Sequence, residues 1–222
     1  MNKRGPKPKG GVRIKWSSDF AYAVGLLVTD GNLSKDRRHI SFVSKDHEQV
    51  ENFRKALGIK NTIGVQYSSS RNRRKAFRVQ CGDVLFYEFL IKIGVTPNKS
   101  KSLGVIGIPR RYFFDFLRGH FDGDGSFYSY WDPRWKSSFM FYIELISASK
   151  KHIAWLQSEI ADSISVKGRI TKSKNNPCYR LKFAKSESLV LLRKMYPKRK
   201  IIFLTRKHLK IIEALGIIHS SL

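Results

Sequence analysis

The sequence predicts an α+β protein built from two pseudo-symmetric αββαββα repeats. Three observations carry this prediction. The order of helices and strands over residues 16–95 recurs over residues 109–197, as in two fused halves of one chain. Each repeat opens on a helix with a glycine five positions ahead of an aspartate and a second glycine behind it. These are Gly25, Asp30 and Gly31 in the first repeat, and Gly119, Asp124 and Gly125 in the second. Hydrophobic residues make up 41% of the 222 positions, enough to fill a core in one large domain or in two halves of about 100 residues each.

Residues 1–15 hold Lys3, Arg4, Lys7, Lys9, Arg13 and Lys15 with no acid, and Pro6 and Pro8 oppose regular structure. They read as a flexible basic arm, either solvated or lying along a nucleic acid. Order begins at Trp16. Ser17-Ser18-Asp19 caps an apolar helix from Phe20 to about Asp30, and Gly31 stops it. Ile40–Ser44 alternates like a half-buried strand, and Val50, Phe53 and Leu57 mark a helix over Asp46–Leu57 that ends at Gly58. Thr62–Ser68 and Ala76–Cys81 alternate again, and Asp83 caps a helix from Val84 to Ile93. Residues 96–108 read as a linker. In the second repeat Pro109 starts a helix running from Arg110 to about Asp124. Strands follow at Ser126–Trp131 and Phe139–Ile146, a helix at Lys151–Ile164, strands at Val166–Ser173 and Tyr179–Phe183, and a helix at Ser186–Met195. Residues 198–222, with a helix over Leu204–Leu215, read as a C-terminal appendage.

Charge bounds the partner. Forty-three Lys and Arg against 17 Asp and Glu leave a net charge of +26, which points to a polyanion such as DNA, RNA or an anionic membrane surface. The longest apolar run, Tyr22–Val28, is far short of a membrane span, so the membrane reading is set aside. The basic N-terminus lacks an apolar signal region. Cys81 and Cys178 form no CxxC pair, which argues against a disulfide framework and a zinc site. The expected location is intracellular, cytoplasmic or organellar.

The two opening helices carry the chemistry. A helix C-terminus is partially negative, so Asp30 and Asp124 are locally unfavourable there, and bringing the two ends together adds repulsion. A divalent cation reverses both effects. The carboxylates, with helix-end carbonyls at Thr29 and Gly123, offer the hard oxygens that Mg²⁺ prefers, with Mn²⁺ able to substitute. Gly25 and Gly119 let the two backbones approach.

Those paired motifs, Ala23–Gly31 and Leu117–Gly125, resemble those of the LAGLIDADG homing endonucleases in their single-chain, two-motif form, and the resemblance spans Trp16 to Tyr196. It implies that the motif helices pack at a pseudo-two-fold axis. Each half then presents a four-stranded antiparallel saddle to the DNA major groove, and Asp30 and Asp124 hold metal between the scissile phosphates of a long target. It also implies a basic or polar residue after the second strand of each repeat. Lys45 takes that position in the first repeat. In the second the register leaves Ser149 and Lys150 open, and Lys150 is preferred because an ammonium there serves the transferring phosphate. The sequence departs from the pattern where Thr29 faces Gly123 in the alignment, and where bulky Arg118 and His120 occupy the second motif. Asp122, aligned with Val28, reads as a surface or supporting residue. An EF-hand start at Asp122 fails because its twelfth position is Pro133.

Alternation proposes Gln66, Ser68, Arg78 and Gln80 as base-reading positions of the first half, and Arg169, Arg180 and Lys182 of the second. Hairpin tips carrying Arg71, Arg73 and Arg74, and Lys172 and Lys174, are placed to meet phosphates. Tyr128, Tyr130, Trp131 and Trp135 either stack on bases or pack on their hairpin. The expectation is a monomeric, Mg²⁺-dependent, site-specific double-strand DNA endonuclease, encoded within an intron and cutting a non-palindromic target. The alternatives are a maturase bound to its own intron RNA, and a DNA-binding regulator without catalysis.

Overall fold

A computed structural model of the chain describes residues 10–67, 74–172 and 177–222. Ser68, Arg71, Arg73 and Lys174 therefore lie outside the described residues. The first repeat runs α1 (Ser18–Asp30), β1 (Gly31–Leu33), β2 (His39–Ser44), α2 (His47–Leu57), β3 (Gly64–Tyr67), β4 (Lys75–Gly82) and α3 (Val84–Lys92). The second runs α4 (Phe113–Asp124), β5 (Ser126–Trp131), β6 (Phe139–Ser147), α5 (Lys150–Ile164), β7 (Arg169–Lys172), β8 (Tyr179–Phe183) and α6 (Lys185–Met195), and α7 (Thr205–Ile217) follows. The two antiparallel sheets have the orders β1-β2-β4-β3 and β5-β6-β8-β7, so the repeat expected from the sequence is present strand for strand.

Caps explain most helix starts. Ser17 Oγ accepts from Phe20 N at 3.1 Å, Asp46 Oδ1 from Glu48 N at 3.1 Å, and Asp83 Oδ1 from Phe86 N at 2.8 Å. A 3₁₀ turn at Arg110–Tyr112 precedes α4, which therefore starts later than expected. The short strand β1 begins at the very glycine expected only to stop α1. Gly31 and Gly125 are not left-handed, with φ of −80° and −78°. Glycine is needed there because a Cβ would lie 2.6 Å from the carbonyl oxygen of Leu27 or Phe121.

Each sheet turns one face to the helices. Ile40, Phe42, Val79 and Cys81 fill the first, and Phe141, Ile143, Leu145, Leu181 and Phe183 the second, all buried. The alternate residues of both sheets line an open face. Between the sheets α1 is buried from Phe20 to Val28 without a break, as expected of a helix apolar all round.

Three segments are better integrated than the sequence suggested. Residues 10–15 are no free arm: Gly11 N and Val12 N donate to Asp83 Oδ2 at 2.6 and 2.8 Å, and Val12 is buried. The linker buries Leu103 and Ile106, and Ser149 Oγ donates to Leu103 O at 2.5 Å. Residues 199–207 form a strap across both halves rather than an appendage. Arg199 bridges to Asp115, Arg118 Nε donates to Ile202 O (2.9 Å), and Asn52 Nδ2 to Phe203 O (2.8 Å). Leu204 N donates to Asp122 Oδ2 (2.8 Å), Thr205 N to Glu48 (3.1 Å), and Arg206 pairs with Asp46 (2.7 Å).

The halves meet where α1 crosses α4. A methyl placed on Gly25 would overlap the carbonyl oxygen of Phe116, and one on Gly119 that of Tyr22. Both obstacles are backbone and cannot swing aside. Gly25→Ala or Gly119→Ala is expected to destabilise by more than about 3 kcal/mol and to lower the melting temperature sharply. Gly216→Ala, in α7 with open space around it, is expected to raise stability by up to about 1 kcal/mol. Thermal melts of the three variants check both signs.

Candidate active site and nucleic-acid interface

The glycine crossing brings the ends of α1 and α4 together. One turn beyond it Gly123 faces Thr29 so closely that a Cβ on Gly123 would overlap the threonine side chain. The mismatch between the two motifs is thus a fitted pair, with Thr29 filling what Gly123 leaves. Thr29 Oγ1 donates to Leu26 O at 2.8 Å. The two bulky residues of α4 flank the crossing, and the Arg118 guanidinium lies over the Tyr22 ring of α1, 5.5 Å from its centre. Arg118 is fully buried, donates to Met195 O at 2.7 Å and pairs with Asp115 at 3.0 Å. His120 stacks on His152 of α5, with ring centroids 5.2 Å apart.

Asp30 and Asp124 sit at the joined ends, Asp30 half-buried and Asp124 the more open. Burial, and then the neighbouring Asp124 carboxylate, push Asp30 up to about 6. Burial raises Asp124 as well. Two buried lysines oppose these shifts. Lys99, from the linker, donates to Gly31 O at the end of α1. Lys207, from α7, donates to Phe121 O, Asp122 O and Gly125 O at 2.5, 2.9 and 2.6 Å at the end of α4. Gly31 and Gly125 occupy equivalent places in the two repeats, so the two ammoniums are pseudo-symmetric helix caps that complement the helix dipoles. Burial lowers each of them to about 8.

Neither lysine was found by sequence reasoning. They follow α3 and α6 at unequal spacing, one inside an apparent linker and one inside an apparent appendage, so repeat alignment does not pair them. Gln49 was missed too. Its Nε2 donates to Asp122 O at 2.9 Å, while Ser44 Oγ donates to its Oε1 at 2.6 Å.

Asp122 is not a surface residue. It is fully buried, and its Oδ2 accepts from Tyr22 Oη and from Leu204 N, both at 2.8 Å. It therefore ties α1, α4 and the strap into one knot and sets where Lys207 enters.

Lys45 is exposed on the rim of a 780 Å³ open cleft that also contains Asp30, Gln49, Gly123 and Arg206. Lys150 is exposed as well and does not line that cleft. The caps settle the register that the sequence left open. Asp46 N donates to Ser44 Oγ and Ser149 N to Ser147 Oγ, at 3.1 and 3.2 Å, so Asp46 corresponds to Ser149. Lys45 then corresponds to Ala148, and Lys150 to His47. The preference for Lys150 is corrected accordingly, and the second repeat has no ammonium at this position.

Two carboxylates fit one hard divalent cation if water completes its shell. No cluster of three or more acidic, His or Cys side chains able to hold a metal occurs among the described residues. The carbonyl of Gly123 is already 3.4 Å from Lys207 Nζ, which leaves it less free to take a cation than the two carboxylates are.

Of the expected base-reading residues, Gln66, Arg78 and Gln80 lie on the open face of the first sheet. Arg78 Nη2 donates to Gln80 Oε1. Arg74 is exposed just ahead of β4. Arg169 and Lys182 are paired across β7 and β8 on the open face of the second sheet, and Arg180 faces Thr171 beside them. Lys182 Nζ lies 3.9 Å from the Tyr142 ring centre. Lys172 pairs with Tyr179, which packs on the core, so its strand position alternates to the helix-covered side.

No protein-family model matches the chain. One curated relative, the DNA-directed RNA polymerase subunit Rpo1C of Methanocaldococcus jannaschii, is 28% identical over 134 residues, covering 56% of this chain and only 15% of its own length. Solved structures share the fold. Full-length DUF199/WhiA from Thermatoga maritima matches 93% of this chain and 70% of its own, with a TM-score of 0.55 and 16% identity. The homing endonuclease I-WcaI bound to its DNA recognition sequence matches 90% and 88%, with a TM-score of 0.63 and 14% identity. The meganuclease I-SmaMI bound to uncleavable DNA matches 92% and 93%, with a TM-score of 0.57 and 14% identity. The fold is that of the LAGLIDADG homing endonucleases and of the LAGLIDADG domain of WhiA.

The shifted Asp30 gives a signed pH dependence. A carboxyl whose folded pKa is raised contributes stability only at low pH, and loses it as pH rises through the folded value. Asp30→Asn is therefore expected to melt with wild type below pH 4. The gap should open between pH 4 and 6, leaving the variant more stable by roughly 2–6 °C at pH 8 without divalent cations. Added Mg²⁺ is expected to close the gap by stabilising wild type alone. Melting curves across pH with and without Mg²⁺ test this.

Proposed function

We propose that the protein is a site-specific double-strand DNA endonuclease acting as a monomer with pseudo-two-fold symmetry. The observation that carries the reading is the pair Asp30 and Asp124 at adjoining helix ends, between two open four-stranded sheets, in a chain of net charge +26. Two solved structures of the same fold are described as nucleases bound to DNA. In this reading the sheets lie in the major groove on either side of the α1–α4 crossing, with basic residues neutralising phosphates and open-face side chains reading base edges. The two scissile phosphates then fall over the helix ends.

Asp30 and Asp124 would hold the divalent cation. When bound, Mg²⁺ supplies charge stabilisation for the oxygens of an in-line phosphodiester displacement. The protein's own residues do the rest. Lys45, free to move on the rim, neutralises the phosphate from the cleft side. Lys99 and Lys207 hold the helix ends at fixed separation and keep the carboxylates ionisable despite burial. The strap fixes α4 and α2 behind the site through Asp122, Glu48 and Asp46.

A second reading, a DNA-binding regulator without catalysis, is favoured by one observation. Lys99 and Lys207 offset part of the cost of the two aspartates, so the pair depends less on a cation than bare carboxylates would. The two readings separate in one experiment. Wild type, Asp30→Asn, Asp124→Asn and Lys45→Met are incubated with a randomised duplex library, with Mg²⁺, Mn²⁺ or EDTA, and both bound and cut molecules are sequenced. The nuclease reading expects one long non-palindromic site, cut by wild type with metal only. Lys45→Met should bind normally and cut about 10²-fold more slowly. Enrichment of one site by all proteins with no cutting would establish the regulator. Retention of intron RNA with no DNA preference would point to a maturase.

A further inference from the structure

We propose that the two sheets read DNA by different chemistry, and that the second sheet recognises its half-site through the 5-methyl groups of thymine. The inference rests on the DNA-binding reading above and names what one half of that surface binds.

The open face of the second sheet is aromatic and apolar at its β5–β6 end, beyond the four-stranded polar row Ser126, Glu144, Lys182 and Arg169. Phe139, Phe141, Ile143 and Leu145 of β6 are buried, so Met140, Tyr142 and Ile146 alternate to the other side, with the Glu144 carboxylate between Tyr142 and Ile146. Tyr128 of β5 pairs directly with Tyr142, and Tyr130 with Met140. The rings form a ladder. Tyr128 and Tyr142 stack at 5.3 Å with planes 21° apart, and Tyr130 and Tyr142 at 6.1 Å and 14°. None of these five aromatic and apolar side chains belongs to the hydrophobic core or packs against it. Part of the polar capacity on the patch is engaged. Tyr128 Oη donates to Glu144 at 3.2 Å, and the Lys182 ammonium sits over the Tyr142 ring.

The first sheet is the opposite. In place of the Tyr128–Tyr142 pair it has Ser34 and His39, and it sets Asn32, Ser41 and Gln80 in register where the second sheet has Ser126, Glu144 and Lys182, with Arg78 and Gln66 beside them. Those side chains donate and accept, as bidentate readers of guanine and adenine do.

A strongly basic chain presents this aromatic end beside the cations Arg169, Arg180 and Lys182, so its occupant offers both negative charge and an apolar group. Duplex DNA meets both demands. Its major groove admits strands, and the thymine methyl is the one apolar group that a base pair displays there. RNA does not meet them, because uracil lacks the methyl and the A-form major groove is too narrow for side chains to enter. The patch thus favours DNA over RNA as the partner of this half.

The test uses the full chain in EDTA, so that binding is measured without cutting. A site is selected from a randomised duplex library, and its thymines are then replaced by deoxyuridine in one half at a time. Arg78→Ala identifies the half read by the first sheet. The expected result is a thymine-rich second half-site that loses about fourfold in affinity for each contacted methyl removed, with little change when the first half is substituted. Tyr142→Ala should bind thymine and deoxyuridine sites equally. Met140→Ser, a gentler change on the same face, should reduce the discrimination if Tyr142→Ala fails to fold. A selected site that deoxyuridine leaves unweakened in both halves overturns this inference and leaves DNA binding standing. Selection of no site at all overturns both.

Discussion

The whole arrangement depends on how closely two backbones approach at Gly25 and Gly119. Each glycine faces a carbonyl oxygen of the opposite helix, with no room for a single methyl between them. Because the contact is backbone on backbone, it fixes the separation of α1 and α4 more rigidly than side-chain packing would. The chain is almost straight from that crossing to Asp30 and Asp124, so the spacing of the carboxylates is inherited from it. The separation of the two open sheets is inherited too, since each half is built outward from one of these helices.

Such closeness creates an electrostatic cost. Two helix C-termini and two carboxylates converge in a region where burial already penalises ionisation. The fold answers with two buried ammoniums, Lys99 and Lys207, placed on the helix-end carbonyls rather than directly on the carboxylates. That choice leaves Asp30 lining the cleft and Asp124 exposed to solvent. A buried lysine is itself costly, and the linker and the strap owe their buried anchors to the need to hold one in place. The strap illustrates this most fully: Asp115, Asp122, Glu48 and Asp46 all accept from residues 199–206 before Lys207 is reached. A helix outside the repeat thereby completes the centre of the repeat.

Pseudo-symmetry governs the frame and not the surface. Strand order, helix order and the two lysine caps match between halves. The rim ammonium Lys45 has only Ala148 at the matching position, and Ser34 and His39 of the first repeat stand where the second stacks Tyr128 on Tyr142. A side chain added at Gly25 or Gly119 meets backbone, whereas an open face accepts side chains that alternate outward. An asymmetric partner is the natural complement of such a surface.

The sequence by itself determined the repeat, the alternation of most strands, the two opening helices and the pairing of Gly25 with Gly119 and of Asp30 with Asp124. These are legible because periodicity, caps and internal alignment are local signals, written within a few turns of chain. Other features needed the tertiary structure. Asp122 looked peripheral beside Val28, yet it is buried under Tyr22 and Leu204. Lys150 looked like the partner of Lys45 until the cap hydrogen bonds fixed the register. Lys99 and Lys207 lay in segments that read as connector and tail. Each of these residues takes its role from a contact with chain far away in sequence. No local pattern records such a contact, and only the folded arrangement decides it.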